Sequence, residues 1–465
     1  VNSSGLVETV ELLGSELVTN GDFATDTDWT KGTGWTIANG KASSDGSGGS
    51  FFYQNISGTT TGDVLKVVYE IVDYTSGEVR IGTGSGLSQP YGTYRNAVGV
   101  YTEYITKTST NVTTGFISNS FIGSIDNVSI KESTKNNLAR VDYDGTASSL
   151  LVEPQRTNSV TYSEDFSNAA WTKHGNISVQ SNTVISPDGT QNGDTVTGLD
   201  GSGSNDLRNL TGTNPAGKTF TGSVYLKGTG TMVIRMSNTV DDSDDLQITL
   251  TSSWSRYTLE HTFNATSGDL LWFFDDASSS TATTYDIWGA QIEEGSYASS
   301  YIPTSGSTVT RVADQYEKTG ISNLINSEEG VLFAEIAALA DDGTFRYIAL
   351  SDGSNNERIQ IIYSSTANNI VMSVVSSNSG QAQVTAVISQ TQNNKLAIKY
   401  KENDCSFWLN GVKIHTDTSA NMPSGLDILG FERPSGVSQF YGKLKQLQIF
   451  KTALTDPELV TLTTI

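Results

Sequence analysis

The chain has 465 residues, of which 36% are apolar and one is cysteine, and its formal net charge at pH 7 is −22. This length predicts about three domains, and the lone Cys405 excludes a fold held by intrachain disulfides. The excess of carboxylates without a basic cluster, and the lack of an apolar run of about 18 residues, argue against nucleic acid and membrane insertion.

Short strands joined by tight turns are the predicted elements along the whole chain. Gly, Ser, Thr and Asn are abundant, whereas helix-length stretches rich in Ala, Leu, Glu and Lys are missing. Pairs such as Asn39-Gly40 and Asn410-Gly411 supply residues that tolerate the positive φ angles of tight hairpins. Strands at such close spacing indicate an all-β fold built from β-sandwiches.

An internal repeat covers the first two thirds of the chain. Asn20–Lys31 and Ser163–Lys173 share an Asp-Phe pair and a Trp-Thr-Lys triplet at nearly the same spacing. Each copy closes about 100 to 120 residues later with a similar strand, at Ser124–Glu132 and at Tyr285–Glu294. Two copies of one domain explain this pattern.

The opening NGDFATDTDW, from Asn20, and the closing GSIDNVSIKE of the first copy resemble the jelly rolls of carbohydrate-binding modules. The resemblance implies a structural Ca²⁺ between the two chain ends, held by Asp22 and Asp126, and in the second copy by Asp165 and Asp286. Ala24 stands where a glutamate ligand is common in that family. The alternative is that these aspartates accept hydrogen bonds in turns.

Two longer segments resemble sequences that recur in structural proteins of tailed phages, around just such a jelly roll. They are VDYDGTASSLLVEPQRTN, Val141–Asn158, and YDIWGAQIEEGSYASSYIPTSGSTVTRVAD, Tyr285–Asp314. This resemblance implies a location in the virion, other virion proteins as partners, and a homo-oligomer, often a trimer in fibres.

The last third of the chain resembles the laminin-G-like, concanavalin-type sandwich. Phe407–Pro423 predicts a hairpin, and Phe440–Leu462 matches the closing strand and short helix of that family, with Asp456 as the predicted helix cap. Leu396, Ile398 and Tyr400 alternate with lysines, which predicts one core face and one solvent face. The fold hosts lectins, glycosidases and spacers alike, so no function follows from it.

The predicted fold is therefore three β-sandwich domains, two jelly rolls and one concanavalin-like sandwich. In chain order we expect an N-terminal segment at 1–13, a jelly roll at 14–134, a linker at 135–154, a second jelly roll at 155–300, a linker at 301–324 and the concanavalin-like sandwich at 325–465.

Catalytic motifs find no support in the sequence. A concanavalin-type glucanase needs a strand with three alternating acidic positions, and the nearest string, Glu402–Ser406, lacks the last carboxylate. Glu293 and Glu294 are adjacent on a predicted strand, so they point to opposite faces. The three histidines show no metal-ligand spacing.

Loop aromatics offer a candidate glycan contact. Sugar-binding sandwiches stack sugar rings on exposed aromatic side chains and hold the hydroxyls with planar polar groups. The run from Gln89 to Asn96 has this character, and the candidate residues are Trp35, Tyr91, Tyr94, Arg95 and Asn96. The alternative is a packed loop or a protein interface.

The sequence predicts a non-enzymatic surface protein of a phage virion, a head or tail fibre or a decoration protein. Its lectin-like modules would attach to host-surface glycan or polysaccharide, and display in many copies compensates for weak single contacts. The alternatives are a purely structural virion component that binds neighbouring virion proteins, a polysaccharide-degrading enzyme, and a bacterial adhesin.

Overall fold

The computed structural model describes residues 12–47, 50–87, 90–110, 112–134, 139–144, 147–238, 240–243, 245–275 and 280–465. Within these ranges the protein consists of β-strands and one short C-terminal α-helix, which confirms the all-β fold class. The described residues form two compact units, 12–134 and 139–465. Across the same ranges no helix has the length and hydropathy needed to cross a membrane. Residues 1–11 of the predicted N-terminal segment lie outside the described residues.

The first unit is a jelly-roll sandwich of eight antiparallel strands. They are β1 (Leu12–Glu16), β2 (Thr30–Lys31), β3 (Trp35–Ala38), β4 (Lys41–Asp45), β5 (Phe51–Asn55), β6 (Val64–Thr83), β7 (Gly99–Thr106) and β8 (Thr113–Thr134). The long strand β8 pairs with β1, β4, β5 and β6, and β7 pairs with the outer edge of β6. Strand β1 begins two residues before the predicted start of this domain.

Strands β6 and β8 curl over the core and close this sandwich. In their register Ile81 pairs with Phe116, and Tyr69 lies twelve positions earlier on β6. A flat ladder would hold Tyr69 roughly 40 Å from Phe116, at about 3.3 Å per residue. The two ring centroids are instead 5.0 Å apart in an edge-to-face contact. The ladder therefore folds back on itself around a core rich in aromatic side chains.

The second unit begins with two strands in the predicted linker and continues into the second jelly roll. The strands are β9 (Arg140–Asp144), β10 (Ala147–Val152), β11 (Arg156–Asn158), β12 (Trp171–His174), β13 (Ser178–Val184), β14 (Gly193–Thr197), β15 (Asp206–Leu210), β16 (Thr219–Gly228), β17 (Thr231–Ser237), β18 (Leu246–Thr249), β19 (Ser255–Thr262), β20 (Leu271–Asp275), β21 (Thr284–Glu294) and β22 (Val309–Arg311). The jelly roll has two five-stranded sheets, ordered β12-β15-β20-β17-β18 and β13-β14-β21-β16-β19, and β11 pairs with β22.

The same unit ends in a second two-sheet sandwich. Its elements are β23 (Glu317–Lys318), β24 (Glu329–Ala338), β25 (Arg346–Ser351), β26 (Arg358–Tyr363), β27 (Asn369–Ser376), β28 (Ser379–Val387), β29 (Asn394–Lys401), β30 (Cys405–Leu409), β31 (Val412–Asp417), β32 (Ile428–Gly430), β33 (Gly442–Phe450) and α1 (Asp456–Thr463). Leu396, Ile398 and Tyr400 are all buried in its core, as the alternation predicts. The predicted solvent face is wrong, because Ala397 and Lys399 are buried as well, and Ala397 packs in a small apolar cluster with Leu459 of α1. Helix α1 is capped by Thr455 rather than Asp456, because Thr455 and Glu458 form a capping box.

The segments expected as linkers carry strands of the folded unit. Strand β10 pairs with β33, and β9 pairs with β10, so both belong to the seven-stranded sheet of the C-terminal sandwich. In the second expected linker β22 pairs with β11, and β23 pairs with β32. Strand β10 buries the apolar side chains of Leu151 and Val152, whereas β22 and β23 are largely exposed.

The two copies of the internal repeat share the same hydrogen bond and the same aromatic contact. The indole N–H of Trp29 donates to the carbonyl of Asn20 at 3.1 Å, and that of Trp171 donates to the carbonyl of Tyr162 at 2.8 Å. Both bonds span nine residues. Each tryptophan also packs on the phenylalanine of its Asp-Phe pair, with ring centroids 5.5 Å and 4.7 Å apart. The opening segments of both jelly rolls therefore share one local structure.

Candidate glycan-contact site

The loop that carries most of the predicted glycan residues lies along strand β6 like a short extra strand. Val79 and Arg95 exchange two backbone hydrogen bonds, of 3.0 Å and 2.8 Å, and Gly82 is bridged to Tyr91. Gly92 allows this close approach, because a Cβ atom there would lie 2.6 Å from Cγ2 of Ile81. The loop is thereby fixed on a rigid strand, which places its side chains in defined positions.

Tyr91 and Tyr94 flank the side chain of Arg80. The guanidinium carbon of Arg80 lies 3.5 Å from the ring centroid of Tyr91 and 4.3 Å from that of Tyr94. Tyr91 is 39% exposed. We call Arg80, Tyr91 and Tyr94 the arginine–tyrosine patch. Arg80 and Tyr94 are partly exposed, so all three side chains are accessible to a ligand.

Arg95 belongs to a neighbouring ion pair rather than to this stack. Its guanidinium donates to Oε1 of Glu103 through Nε at 3.0 Å and Nη2 at 2.6 Å, and it lies 4.9 Å from the ring centroid of Tyr101. The hydrogen bond to Glu103 raises the pKa of Arg95 above its usual value. Arg95 thus braces the loop, and Asn96 beside it is exposed.

Trp35 is not part of a surface site, so its prediction as a glycan contact is wrong. Only 4% of this residue is exposed, and its ring stacks on Phe52 with centroids 4.9 Å apart. The preceding Gly34 has a φ of 84° and turns the chain so that the indole enters the core. Gln89, at the start of the predicted run, lies outside the described residues.

Sequence reasoning missed Arg80, the central residue of the patch. Val79 and Ile81 on either side are fully buried, so the period-2 alternation of β6 places Arg80 on the opposite face. That alternation was readable in the sequence. Its proximity to Tyr91 and Tyr94 was not, because a non-local bridge brings the loop to β6.

The aspartates that we expected to bind Ca²⁺ in the first jelly roll have other hydrogen-bond partners. The chain ends do lie side by side, since the amide of Val128 donates to the carbonyl of Gly21 at 2.8 Å. Asp22, however, accepts a hydrogen bond from the amide of Ala24 at 3.4 Å, and Asp126 from that of Asn127 at 2.7 Å. Among the described residues no three His, Cys, Asp or Glu side chains group as metal ligands would. Both aspartates act as turn acceptors, the alternative that the sequence left open.

The closing strands of the two jelly rolls align in a different register from the one that their sequences suggest. Ser43 and Ser124 form a cross-strand pair with oxygens 2.9 Å apart, and Thr195 donates to Asp286 at 2.6 Å across the corresponding strands. Asp286 therefore corresponds to Ser124, two residues before Asp126. Its other carboxylate oxygen lies 3.5 Å from Nζ of Lys227.

A lysine holds the carbonyls of the opening loop in the second jelly roll. Nζ of Lys173 donates to the carbonyl oxygens of Ser167 at 2.8 Å and Asn168 at 2.7 Å. Burial lowers the pKa of this ammonium, and the charges of Asp165 and Asp194 oppose that shift. An ammonium thus lies among the carbonyls and carboxylates that would otherwise attract a metal ion, so the donor set does not fit Ca²⁺.

In the first jelly roll a side-chain amide donates to the carbonyls of the opening loop instead of a lysine. Nδ2 of Asn20 donates to the carbonyl oxygens of Thr25 at 2.7 Å and Thr27 at 3.0 Å. Both opening loops therefore close around nitrogen donors of the chain itself.

The two segments that resemble phage structural proteins meet in a buried polar network. The carboxylate of Glu153, which is 3% exposed, accepts hydrogen bonds from the amide of Ser300 at 2.8 Å and its hydroxyl at 2.7 Å. Arg140 and Arg311 lie 3.2 Å and 3.3 Å from the same carboxylate, and Arg140 also pairs with Asp314. This network connects strand β10 of the C-terminal sandwich to the end of the second jelly roll.

Ser299, the residue before Ser300, binds a second glutamate in the same way. The carboxylate of Glu293, which is fully buried, accepts hydrogen bonds from the amide of Ser299 at 2.8 Å and its hydroxyl at 2.6 Å, with Arg156 at 3.4 Å. Glu294 is exposed and lies 2.7 Å from Lys218. The two adjacent glutamates do face opposite sides of the strand, as predicted, and the inner one is occupied by structural hydrogen bonds.

A groove of about 490 Å³ in the second jelly roll is a competing location for a ligand. Its lining includes Gln155, Arg156, Phe220 and Glu294. Phe220 is 2% exposed, and Arg156 is already paired with the buried Glu293. The arginine–tyrosine patch, with its exposed ring edges, is better suited to a sugar.

Neither a protein-family model nor a curated protein sequence matches the chain. Among solved structures it is similar to the CBM40 domain of a Ruminococcus gnavus IT-sialidase, with 15% identity over 30% of this chain and 84% of that one and a TM-score of 0.27. A CBM22 tandem from Paenibacillus barcinonensis Xyn10C is 9% identical over 62% of this chain and 100% of that one, with a TM-score of 0.29. Mouse laminin α1 domains LG4–5 are 10% identical over 57% of this chain and 92% of that one, with a TM-score of 0.20. With TM-scores this low, these likenesses assign neither a ligand nor an activity.

Proposed function

We propose that the chain is a non-enzymatic surface protein of a tailed-phage particle that contacts host-surface glycan through its first jelly roll. The observation that carries the glycan part is the arginine–tyrosine patch, in which the rings of the accessible Tyr91 and Tyr94 both lie against the guanidinium of Arg80. Aromatic edges beside a planar polar group are the chemistry with which sandwiches bind sugars.

The patch is small, so a single contact is expected to be weak. A rigid strand supports it, and the ion pair between Arg95 and Glu103 braces the loop beside it. Pre-organised side chains lose little entropy on binding. Several copies of the chain on one particle would raise the overall avidity without a new contact.

The virion part of the proposal rests on the resemblance of two segments to phage structural proteins. Those segments build the buried network of Glu153, Ser300 and Arg311. A fibre or decoration protein has to keep its modules in a fixed arrangement, and a buried polar network of this kind serves that need. Antibodies against the purified chain should label the surface of purified particles, and labelling confined to disrupted particles would contradict the proposal.

The glycan part is tested by a binding screen with variants of the patch. The full chain should bind at least one host-surface polysaccharide, and Tyr91→Ala and Tyr94→Ala should each weaken that binding. Tyr104→Ala is the control, because Tyr104 is a 44% exposed tyrosine whose ring lies 5.8 Å from Nζ of Lys66 rather than against Arg80. Equal binding by all three variants would overturn this assignment of the site.

A further inference from the structure

Arg80 differs from every other arginine in its polar contacts. Within the described residues its guanidinium has neither an ion pair nor a hydrogen bond, and its Nε is buried without a partner. The remaining arginines each have a carboxylate, amide, hydroxyl or carbonyl partner, and they are Arg95, Arg140, Arg156, Arg208, Arg235, Arg256, Arg311, Arg346, Arg358 and Arg433.

The absence of a carboxylate partner is unexpected in a chain with 50 acidic and 28 basic residues. Two glutamates occupy nearby positions, and both are engaged elsewhere. Glu78, two residues before Arg80, accepts a hydrogen bond from Nδ2 of Asn119 at 2.8 Å. Glu103 is bound by Arg95 at 2.6 Å. The positive charge of Arg80 is thus left uncompensated by these carboxylates.

Stacking between Tyr91 and Tyr94 satisfies the faces of the guanidinium but not its edge. A cation over an aromatic ring is stabilised by the ring electrons, whereas the guanidinium N–H groups point outward in the plane. Those groups match the two oxygens of a carboxylate in a bidentate pair. The two rings also hold the guanidinium plane in one orientation.

We infer that the arginine–tyrosine patch binds a carboxylate-bearing sugar, such as a uronic acid or another acidic monosaccharide of a polysaccharide. This inference rests on the proposed glycan-binding function and specifies its ligand class. The carboxylate would pair with the Arg80 edge, while the sugar C–H groups contact the rims of Tyr91 and Tyr94.

The test is an array of acidic glycans, including uronate- and sialate-containing ones, each printed beside its methyl-esterified form. Esterification removes the negative charge and leaves the sugar ring in place. The full chain should bind at least one acidic glycan about ten-fold or more tighter than its ester, because hydrogen bonds to charged groups are worth at least that factor. Arg80→Gln should lose the preference, and Arg80→Lys should recover it only in part, because lysine lacks the planar fork.

Arg208→Gln is the matched control, since Arg208 also lies beside an aromatic ring, that of Phe273, but is paired with Asp206. Its acidic-glycan binding should equal that of the wild type, and melting temperatures show whether each variant is folded. Equal binding of acids and esters, or an unchanged preference in Arg80→Gln, would overturn the inference while leaving a neutral-glycan function intact. Binding to no glycan at all would overturn the proposed function and the inference with it.

Discussion

Glu153 and Ser300 meet through two hydrogen bonds, of 2.8 Å and 2.7 Å, although 147 residues separate them in the chain. The adjacent Ser299 binds Glu293 with the same pair of donors. One pair of consecutive serines therefore fixes a glutamate that follows strand β10 and another on strand β21. This arrangement explains why the second jelly roll and the C-terminal sandwich form one compact unit.

Removal of Glu153 should strongly destabilise that unit. Glu153→Ala leaves Arg311 and the donors of Ser300 without their buried acceptor, so we expect a loss of about 3–5 kcal/mol in the free energy of unfolding. Denaturant unfolding measures this loss. Glu294→Ala is the control, because its exposed pair with Lys218 contributes little. Similar unfolding midpoints for the two variants would show that the network does not hold the junction.

Calcium should not stabilise the protein, because nitrogen donors already bind the loop carbonyls. Melting curves of the wild type in excess calcium and in EDTA should coincide. Lys173→Met should lower stability by about 1–2 kcal/mol, because two carbonyls lose their partner. Lys31→Met, at the matching position of the first jelly roll, should change less, since Lys31 pairs with the exposed Asp26. A drop in melting temperature in EDTA would contradict this and restore the calcium expectation.

Trp35→Ala should act on stability. The indole is buried against Phe52, so its removal leaves a cavity worth about 3–5 kcal/mol. A fall in melting temperature checks this. Any portion of the protein that stays folded should bind glycan as the wild type does, and selective loss of glycan binding at unchanged stability would contradict the core assignment.

The half-buried Glu164 predicts a pH dependence of stability. Burial raises the pKa of its carboxyl above the usual 4.5. At a pH between 4.5 and this raised pKa, the folded state therefore binds a proton that the unfolded state has released. Stability from this group is therefore present below pH 4.5 and is lost as the pH rises through the raised value. Glu164→Gln should gain stability relative to the wild type between pH 4 and 7. Unfolding midpoints of the variant and the wild type across that range measure this difference, and parallel pH dependences would contradict the prediction.

The sequence predicted the fold class and the repeat because both depend on local patterns. Alternation along β29 and the Trp-Thr-Lys triplets are visible in the residues themselves. The linkers failed because their strands pair with β33 and β11, partners more than a hundred residues away. Arg80 was missed because the bridges that bring Tyr91 and Tyr94 onto β6 leave no pattern in the sequence. The prediction that Trp35 contacts glycan was wrong because the turn at Gly34 directs the indole into the core.

The central claim is that the arginine–tyrosine patch is where glycan binds, and a crystal structure of the full chain with a bound acidic oligosaccharide tests it most directly. We expect the sugar against the rims of Tyr91 and Tyr94, with its carboxylate paired to Arg80. An oligosaccharide bound elsewhere, such as in the groove beside Arg156, with the patch empty, would contradict the claim.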